Sequence, residues 1–176
     1  MTGERPDRAI GGGTATPSVL IEQPGTTDGA EMWRIARDSQ TLDLNPSYAY
    51  LLWCRDFSVT SAVARVDGTV AGFVTGYLRP DAPDTLVVWQ IAVDAQQRGH
   101  GLAGRLLRHL LARLAERGVR FLETTITADN TASIALFSAL ARDLGTTIER
   151  RELFDAAMFP DGHAAEDLYR IGPIPS

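Results

Sequence analysis

The spacing of apolar residues changes several times along the chain, and the order of those changes predicts its elements. Val19-Leu20-Ile21-Glu22 reads as a short strand. Asp28 is placed to cap a helix through about Asp38, with Met32, Trp33, Ile35 and Ala36 at its apolar positions. Asn45-Pro46 offers a cap followed by proline at the first helical position, predicting a helix through about Trp53. Ser61–Val66 and Thr69–Leu78 alternate on either side of Asp67-Gly68, a dipeptide that accepts the positive φ of a tight hairpin. Thr85–Val93 is almost continuously apolar, the pattern of a strand covered on both faces, so Trp89, Ile91 and Val93 are expected to share one face.

The second half turns helical. Leu102, Leu106, Leu110 and Leu114 recur every fourth residue with Leu107 and Leu111 beside them, predicting a helix from Leu102 to Arg117 that Gly118 ends. Arg120–Thr127 reads as a strand. Thr131–Leu144 reads as a helix with Ile134, Phe137, Leu140, Ala141 and Leu144 inward, stopped by Gly145. Thr146–Phe154 and Asp167–Ile171 form a closing strand pair around the loop Asp155–Glu166. Mixed strands, then βαβαβ, then a last strand predict a single α/β sandwich domain over 19–176. Residues 1–18, with Gly11-Gly12-Gly13, Pro6 and Pro17, read as a flexible tail without the apolar region of a signal peptide.

Composition narrows the partners. The 176 residues are 44% hydrophobic, enough for one core, and the formal charge of −5 argues against nucleic acid while suiting a cationic small substrate. No stretch approaches the ~20 apolar residues of a membrane span. Cys54 is the only cysteine, so there is no internal disulfide; its Tyr/Leu/Trp-rich surroundings mark a core residue, and a reducing, cytoplasmic setting is expected. No His/Cys/carboxylate spacing suggests zinc, and no metal is expected.

The chemistry concentrates in Gln96-Gln97-Arg98-Gly99-His100-Gly101, between the apolar strand and the leucine-rich helix. Unpaired N–H groups at a helix start attract phosphate, and glycines without Cβ let it approach the backbone. Gly99, Gly101 and Gly104 match the dinucleotide G-x-G-x-x-G spacing, but the strand is central and the acidic residue expected at the end of the next strand is missing. No Gly-Lys-Ser/Thr supports an ATP-type loop, and no G-x-S-x-G elbow is present.

This Q-x-x-G-x-G turn after an apolar strand resembles the hallmark of the GNAT superfamily of acyl-CoA-dependent N-acetyltransferases. Asn130-Thr131-Ala132-Ser133-Ile134-Ala135-Leu136-Phe137 is similar to the superfamily's second motif. The resemblance implies a mixed, mostly antiparallel α/β sheet, splayed between its fourth and fifth strands and flanked by helices. It implies acetyl-CoA as co-substrate, with the diphosphate on Gln97, Arg98, Gly99, His100, Gly101, Leu102 and Ala103. Pantetheine would run along Ile91, Ala92 and Val93, where a strand N–H polarises the thioester carbonyl, and Asn130 and Ser133 would meet the cofactor from the second helix. Phe137 stands where many members carry a tyrosine proposed to protonate the leaving thiolate.

Leu42-Asp43-Leu44-Asn45-Pro46-Ser47-Tyr48-Ala49-Tyr50-Leu51-Leu52 is similar to a signature segment of the diaminobutyrate acetyltransferase family of ectoine synthesis. So are Gly72–Tyr77, Val88–Val93, Glu123–Thr127 and the late His163-x-x-Glu166-Asp167-Leu168-Tyr169. The implied reaction is acetyl transfer to the 4-amino group of L-2,4-diaminobutyrate, in a homodimer. The implied acceptor site takes in Asp43, Tyr48, Trp89, His163 and Glu166. Read by residue type alone, Asp43 is equally a helix-entry cap, Tyr48 or Tyr50 a core aromatic, and His163 and Glu166 members of a solvated acidic loop. Glu166, His163 and Asp43 are candidate proton acceptors, with Glu123 a further one. Two other readings are another GNAT enzyme acting on a different small-molecule or protein amine, and a non-catalytic acyl-CoA-binding module.

Overall fold

The computed structural model of the chain describes residues 16–175. The tail expectation falls mostly on residues 1–15, outside those described. Ser18 is already fixed: its backbone exchanges hydrogen bonds of 2.9 Å with the side chain and N–H of Asp67.

Seven strands make one sheet. They are β1 (Val19–Glu22), β2 (Ala62–Val66), β3 (Thr69–Arg79), β4 (Ala82–Val93), β5 (Phe121–Thr127), β6 (Ile148–Phe154) and β7 (Glu166–Ile171). Their order is β1-β2-β3-β4-β5-β7-β6, antiparallel throughout except for the parallel β4–β5 pair. Asp67 (φ 49°) and Gly68 (φ 85°) turn the β2–β3 hairpin with the two positive φ values its tight turn requires. The closing strands do pair with each other, antiparallel, and the last strand enters between β5 and β6.

Helices α1 (Gly29–Ser39) and α2 (Ser47–Arg55) cover one face; α3 (Leu102–Ala115) and α4 (Thr131–Asp143) cover the other. Met32, Ile35, Ala36, Tyr50 and Cys54 pack with Val63, Phe73 and Ala92 on the first side. The leucines of α3 join Phe137 and Leu140 of α4 against Val74, Leu86 and Val88 on the second. Cys54 is buried as expected, and burial pushes its thiol up to about 11, away from thiolate chemistry.

Two caps differ from expectation. Asp28 precedes α1, but its carboxylate takes the Gly25 N–H and the Arg65 guanidinium (2.9 Å each) rather than capping the helix. Pro46, not Asn45, is the capping residue of α2, and Asp43 lies in the connection before it. An ion pair and a fixed proline φ win over the generic cap.

Two irregularities of β4 shape the site. Thr75 pairs with Gln90 and Gly76 with Val88, leaving Trp89 as an extra residue without a cross-strand partner. A bulge of this kind re-aims the side chains around it. Leu86 and Val88 therefore face α3, whereas Gln90 and Ala92 face α1 and α2. Trp89 goes with Gln90, stacking against Trp53 of α2, while Ile91 and Val93 pack toward α3. The expectation that Trp89 shares a face with Ile91 and Val93 is thus overturned, because uninterrupted alternation does not survive the inserted residue.

The second irregularity is the splay. β4 and β5 pair only at Thr85–Phe121, Leu86–Leu122 and Val87–Glu123. Thr124 Oγ1 then donates to the Val88 carbonyl at 3.3 Å, and beyond it the strands separate.

Candidate active site

At the end of β4 the chain makes a tight, well-anchored turn. The Asp94 carboxylate accepts the Gln96 N–H at 3.0 Å through one oxygen and the Arg34 guanidinium at 3.0 Å through the other. Arg98 Nε donates to the Val93 carbonyl at 3.3 Å, folding the arginine back along the strand end. Gly99 and Gly101 take φ of 82° and 70°, and a Cβ on either would meet nothing within 4 Å. Arg105 is the first α3 amide bonded back to this turn, reaching the Gly101 carbonyl at 3.1 Å. The N–H groups of Leu102, Ala103 and Gly104 precede it, so the positive end of α3 opens onto the free space beside the two glycines. Three convergent donors beside a bare backbone fit a diphosphate.

The expected cofactor residues therefore divide. Gln97, Arg98, Gly99, His100, Gly101, Leu102 and Ala103 form the turn and first helical residues; the Leu102 side chain is buried in the core, which leaves its backbone for the ligand. Ile91, Ala92 and Val93 lie on the part of β4 that β5 has left. Asn130 caps α4, accepting the Ser133 N–H at 3.1 Å, so its carbonyl oxygen is engaged within the helix start. Phe137 is buried among the leucines and supplies no proton donor.

The second group assembles from opposite ends of the chain. His163 Nε2 lies 3.0 Å from Asp43 Oδ2 and 3.6 Å from Glu166 Oε1. His163 Nδ1 is 2.7 Å from the Ala164 carbonyl, to which it donates, leaving Nε2 facing the carboxylates. Phe159 packs on the imidazole ring at 4.7 Å. The Ala164 carbonyl first, and then the Asp43 carboxylate, hold the imidazole above its ordinary pKa.

The placement of this trio relative to the splay is informative. Gln90 on β4 donates to the Asp43 carbonyl at 2.8 Å, and Glu166 opens β7 paired with Thr127 at the end of β5. The cluster thus bridges the mouth of the gap between the diverging strands. Two carboxylates on one imidazole make a seat for a cationic amine.

Other sequence candidates fall elsewhere. Trp89, 54% exposed, lines a cleft of about 700 Å³ with Trp53, Phe57, Tyr77 and Leu78. Its chain neighbour Gln90 is what bonds to the Asp43 main chain. Tyr48 is exposed on α2 and makes no hydrogen bond to the trio, while Tyr50 is the buried core aromatic. Both oxygens of the buried Glu123 carboxylate are held, one by Arg79 and one by Arg170, so this residue acts as a structural clamp between β3, β5 and β7. Sequence reasoning missed Gln90, whose role depends on the bulge; the only local signal was Gly76 opposite it, where a Cβ would lie 2.6 Å from the Val87 carbonyl.

The profile of the acetyltransferase (GNAT) family matches residues 29–141. The L-2,4-diaminobutyric acid acetyltransferase of Nocardia farcinica is 57% identical over 89% of this chain and 81% of its own length. That of Streptomyces coelicolor is 58% identical over 91% and 96%. The chain belongs to the GNAT acetyltransferases, among the L-2,4-diaminobutyric acid acetyltransferases. Among solved structures, the diaminobutyrate acetyltransferase EctA from Paenibacillus lautus, in complex with L-2,4-diaminobutyric acid and coenzyme A, superposes with a TM-score of 0.86 at 37% identity, covering 92% of this chain and 98% of that one. Ard1 from Thermoplasma volcanium, at 21% identity and a TM-score of 0.71 over 88% and 97%, shares the fold.

Proposed function

We propose that this chain transfers the acetyl group of acetyl-CoA to the 4-amino group of L-2,4-diaminobutyrate, its relatives being named acetyltransferases of that amino acid, and that a single domain over 19–176 carries the activity. The observation that carries the reading is the meeting of Asp43, His163 and Glu166 across the gap between β4 and β5. Acetyl-CoA supplies the acyl group as a thioester. The amides at the start of α3, beside Gly99 and Gly101, grip its diphosphate, and the free edge of β4 at Ile91–Val93 aligns the pantetheine arm. An N–H on that edge polarises the thioester carbonyl.

The incoming amine must lose a proton before it attacks. Its alkylammonium has a pKa near ~10, so freeing it at neutral pH costs roughly 4 kcal/mol. Asp43 and Glu166 draw the ammonium in, and His163 Nε2 takes the proton, the Ala164 carbonyl keeping Nδ1 protonated. Near-attack alignment of amine and thioester lowers the remaining barrier. The departing thiol, with a pKa near ~8.5, is a tolerable leaving group without help from Phe137.

A homodimer in the cytoplasm belongs to the same proposal. The exposed Leu44, just before α2, and Tyr48 and Leu51 on it supply an apolar surface for a second copy; no helix among the described residues is long and apolar enough to cross a membrane. Light scattering on the eluting protein tests the dimer. The function is tested by release of the CoA thiol with 2,4-diaminobutyrate, ornithine, lysine and a peptide amine, with the product located by NMR. Preference for diaminobutyrate and an acetyl group on N4 are expected. Binding of CoA without turnover on any amine would refute the assignment, and a preference for the peptide would move it to another acceptor.

A further inference from the structure

The bulge at Trp89 brings Gln90 into a buried chain of hydrogen bonds that acetyl transfer itself does not use. The Tyr50 hydroxyl donates to Gln90 Oε1 at 3.0 Å, and Gln90 Nε2 donates to the Asp43 carbonyl at 2.8 Å. Tyr50 is fully buried and Gln90 is 6% exposed. The Tyr50 ring meets Phe73 edge-on at 6.0 Å, so the hydroxyl is held by a rigid core aromatic. Asn45, two residues after Asp43, lies beside the same hydroxyl.

The Asp43 side chain, by contrast, is 80% exposed and sits in an irregular connection between α1 and α2. Within one protomer, its side-chain hydrogen-bond partner among the described residues is His163, which itself lies on a loop. Packing of the carboxylate therefore cannot fix it opposite the imidazole. Its main chain is fixed instead, by an amide anchored in the core.

We propose that Gln90 and Tyr50 are positioning residues for the acceptor site: they grip the main chain of Asp43 and so hold its carboxylate opposite His163. The inference rests on the assignment of Asp43 to that site. A buried donor and acceptor that lose their partners are left unsatisfied, so breaking the grip releases the Asp43 connection toward water.

Steady-state kinetics on the full chain, with diaminobutyrate and acetyl-CoA varied separately, test it. Gln90→Met keeps the length of the side chain and removes both polar atoms. It is expected to raise KM for diaminobutyrate by about tenfold, equivalent to roughly 1.4 kcal/mol. KM for acetyl-CoA should stay within about twofold, because the diphosphate turn is untouched. Tyr50→Phe should shift the same constant in the same direction by less, and it carries the test if Gln90→Met fails to fold. In an Asp43→Ala background, which keeps the carbonyl but lacks the carboxylate, either substitution should add less than about twofold. Equal rises in both KM values, or an undiminished effect in the Asp43→Ala background, would overturn the proposal. If Asp43→Ala alone leaves the diaminobutyrate KM unchanged, the acceptor assignment fails and the proposal falls with it.

Discussion

Replacing Gly101 with alanine separates the cost of a backbone conformation from the loss of a ligand site. Gly101 has φ of +70° and caps α3. An L-residue in that region costs about 1–2 kcal/mol, which for a chain of this size lowers Tm by about 2–8 °C. The added methyl meets nothing within 4 Å, so the ligand-free protein suffers no clash. A bound diphosphate needs that same space. Displacing it from one backbone donor removes a charge-assisted hydrogen bond of about 1.5–3 kcal/mol, a loss of roughly 10- to 150-fold in affinity. Calorimetric titration with CoA, paired with thermal melts, measures both effects. Gly118→Ala is the control: it has φ of +82° and equally open surroundings, but lies beyond the opposite end of α3. It should lower Tm similarly and leave CoA affinity alone. Wild-type affinity in Gly101→Ala, or an equal loss in Gly118→Ala, would refute the diphosphate assignment.

If His163 takes the amine's proton, it must be neutral to work, so kcat/KM should rise with pH through a value above the ordinary imidazole pKa of about 6.5. Asp43→Asn removes one cause of the raised pKa and should move that limb to lower pH; a limb that stays in place excludes this pairing from the rate. Because Trp89 adjoins Gln90, which holds the Asp43 main chain, Trp89→Ala should raise KM for diaminobutyrate more than for acetyl-CoA; the reverse split would remove Trp89 from the acceptor side. Glu123→Gln should destabilise by roughly 2 kcal/mol, because it removes the charge that two largely covered guanidinium groups share with a buried carboxylate, lowering Tm by about 4–8 °C. Its turnover at low temperature should persist; loss of turnover with an unchanged Tm would make Glu123 the base instead of a clamp.

Local rules made much of this fold legible. The four-residue strand β1, the hairpin turned by Asp67-Gly68, and the leucine repeat of α3 each depend on neighbours within one or two turns of chain. The glycine turn was legible for the same reason, since its φ values and the free amides after it are local properties. Asp43, His163 and Glu166 were candidates by resemblance, but residue type alone left Asp43 equally a cap, and nothing local brings it 120 positions along the chain to His163. The insertion of β7 between β5 and β6 depends on which edge the last strand finds. Glu123 read as a possible base because its two guanidinium partners, Arg79 and Arg170, are remote in sequence.

The bulge at Trp89 is where local reading failed and where much of the site is made. Had β4 continued its alternation through Val88, Gln90 would have faced the α3 side with Val88, away from Tyr50 and Asp43. One added residue puts Gln90 on the α1–α2 side beside Trp89 and shifts Ile91 and Val93 to the other. The phase change falls at Trp89–Gln90, two residues past the last β4–β5 pair at Val87–Glu123. Past that point β4 has a free edge toward the gap, and on its α2 face it carries the amide that holds the main chain of Asp43, the carboxylate proposed to receive the amine. A strand of uniform phase could offer that edge to the thioester but would turn Gln90 from Asp43. The bulge lets one strand face both proposed substrate sites, and Gly76 is required opposite it because a Cβ there would collide with the Val87 carbonyl.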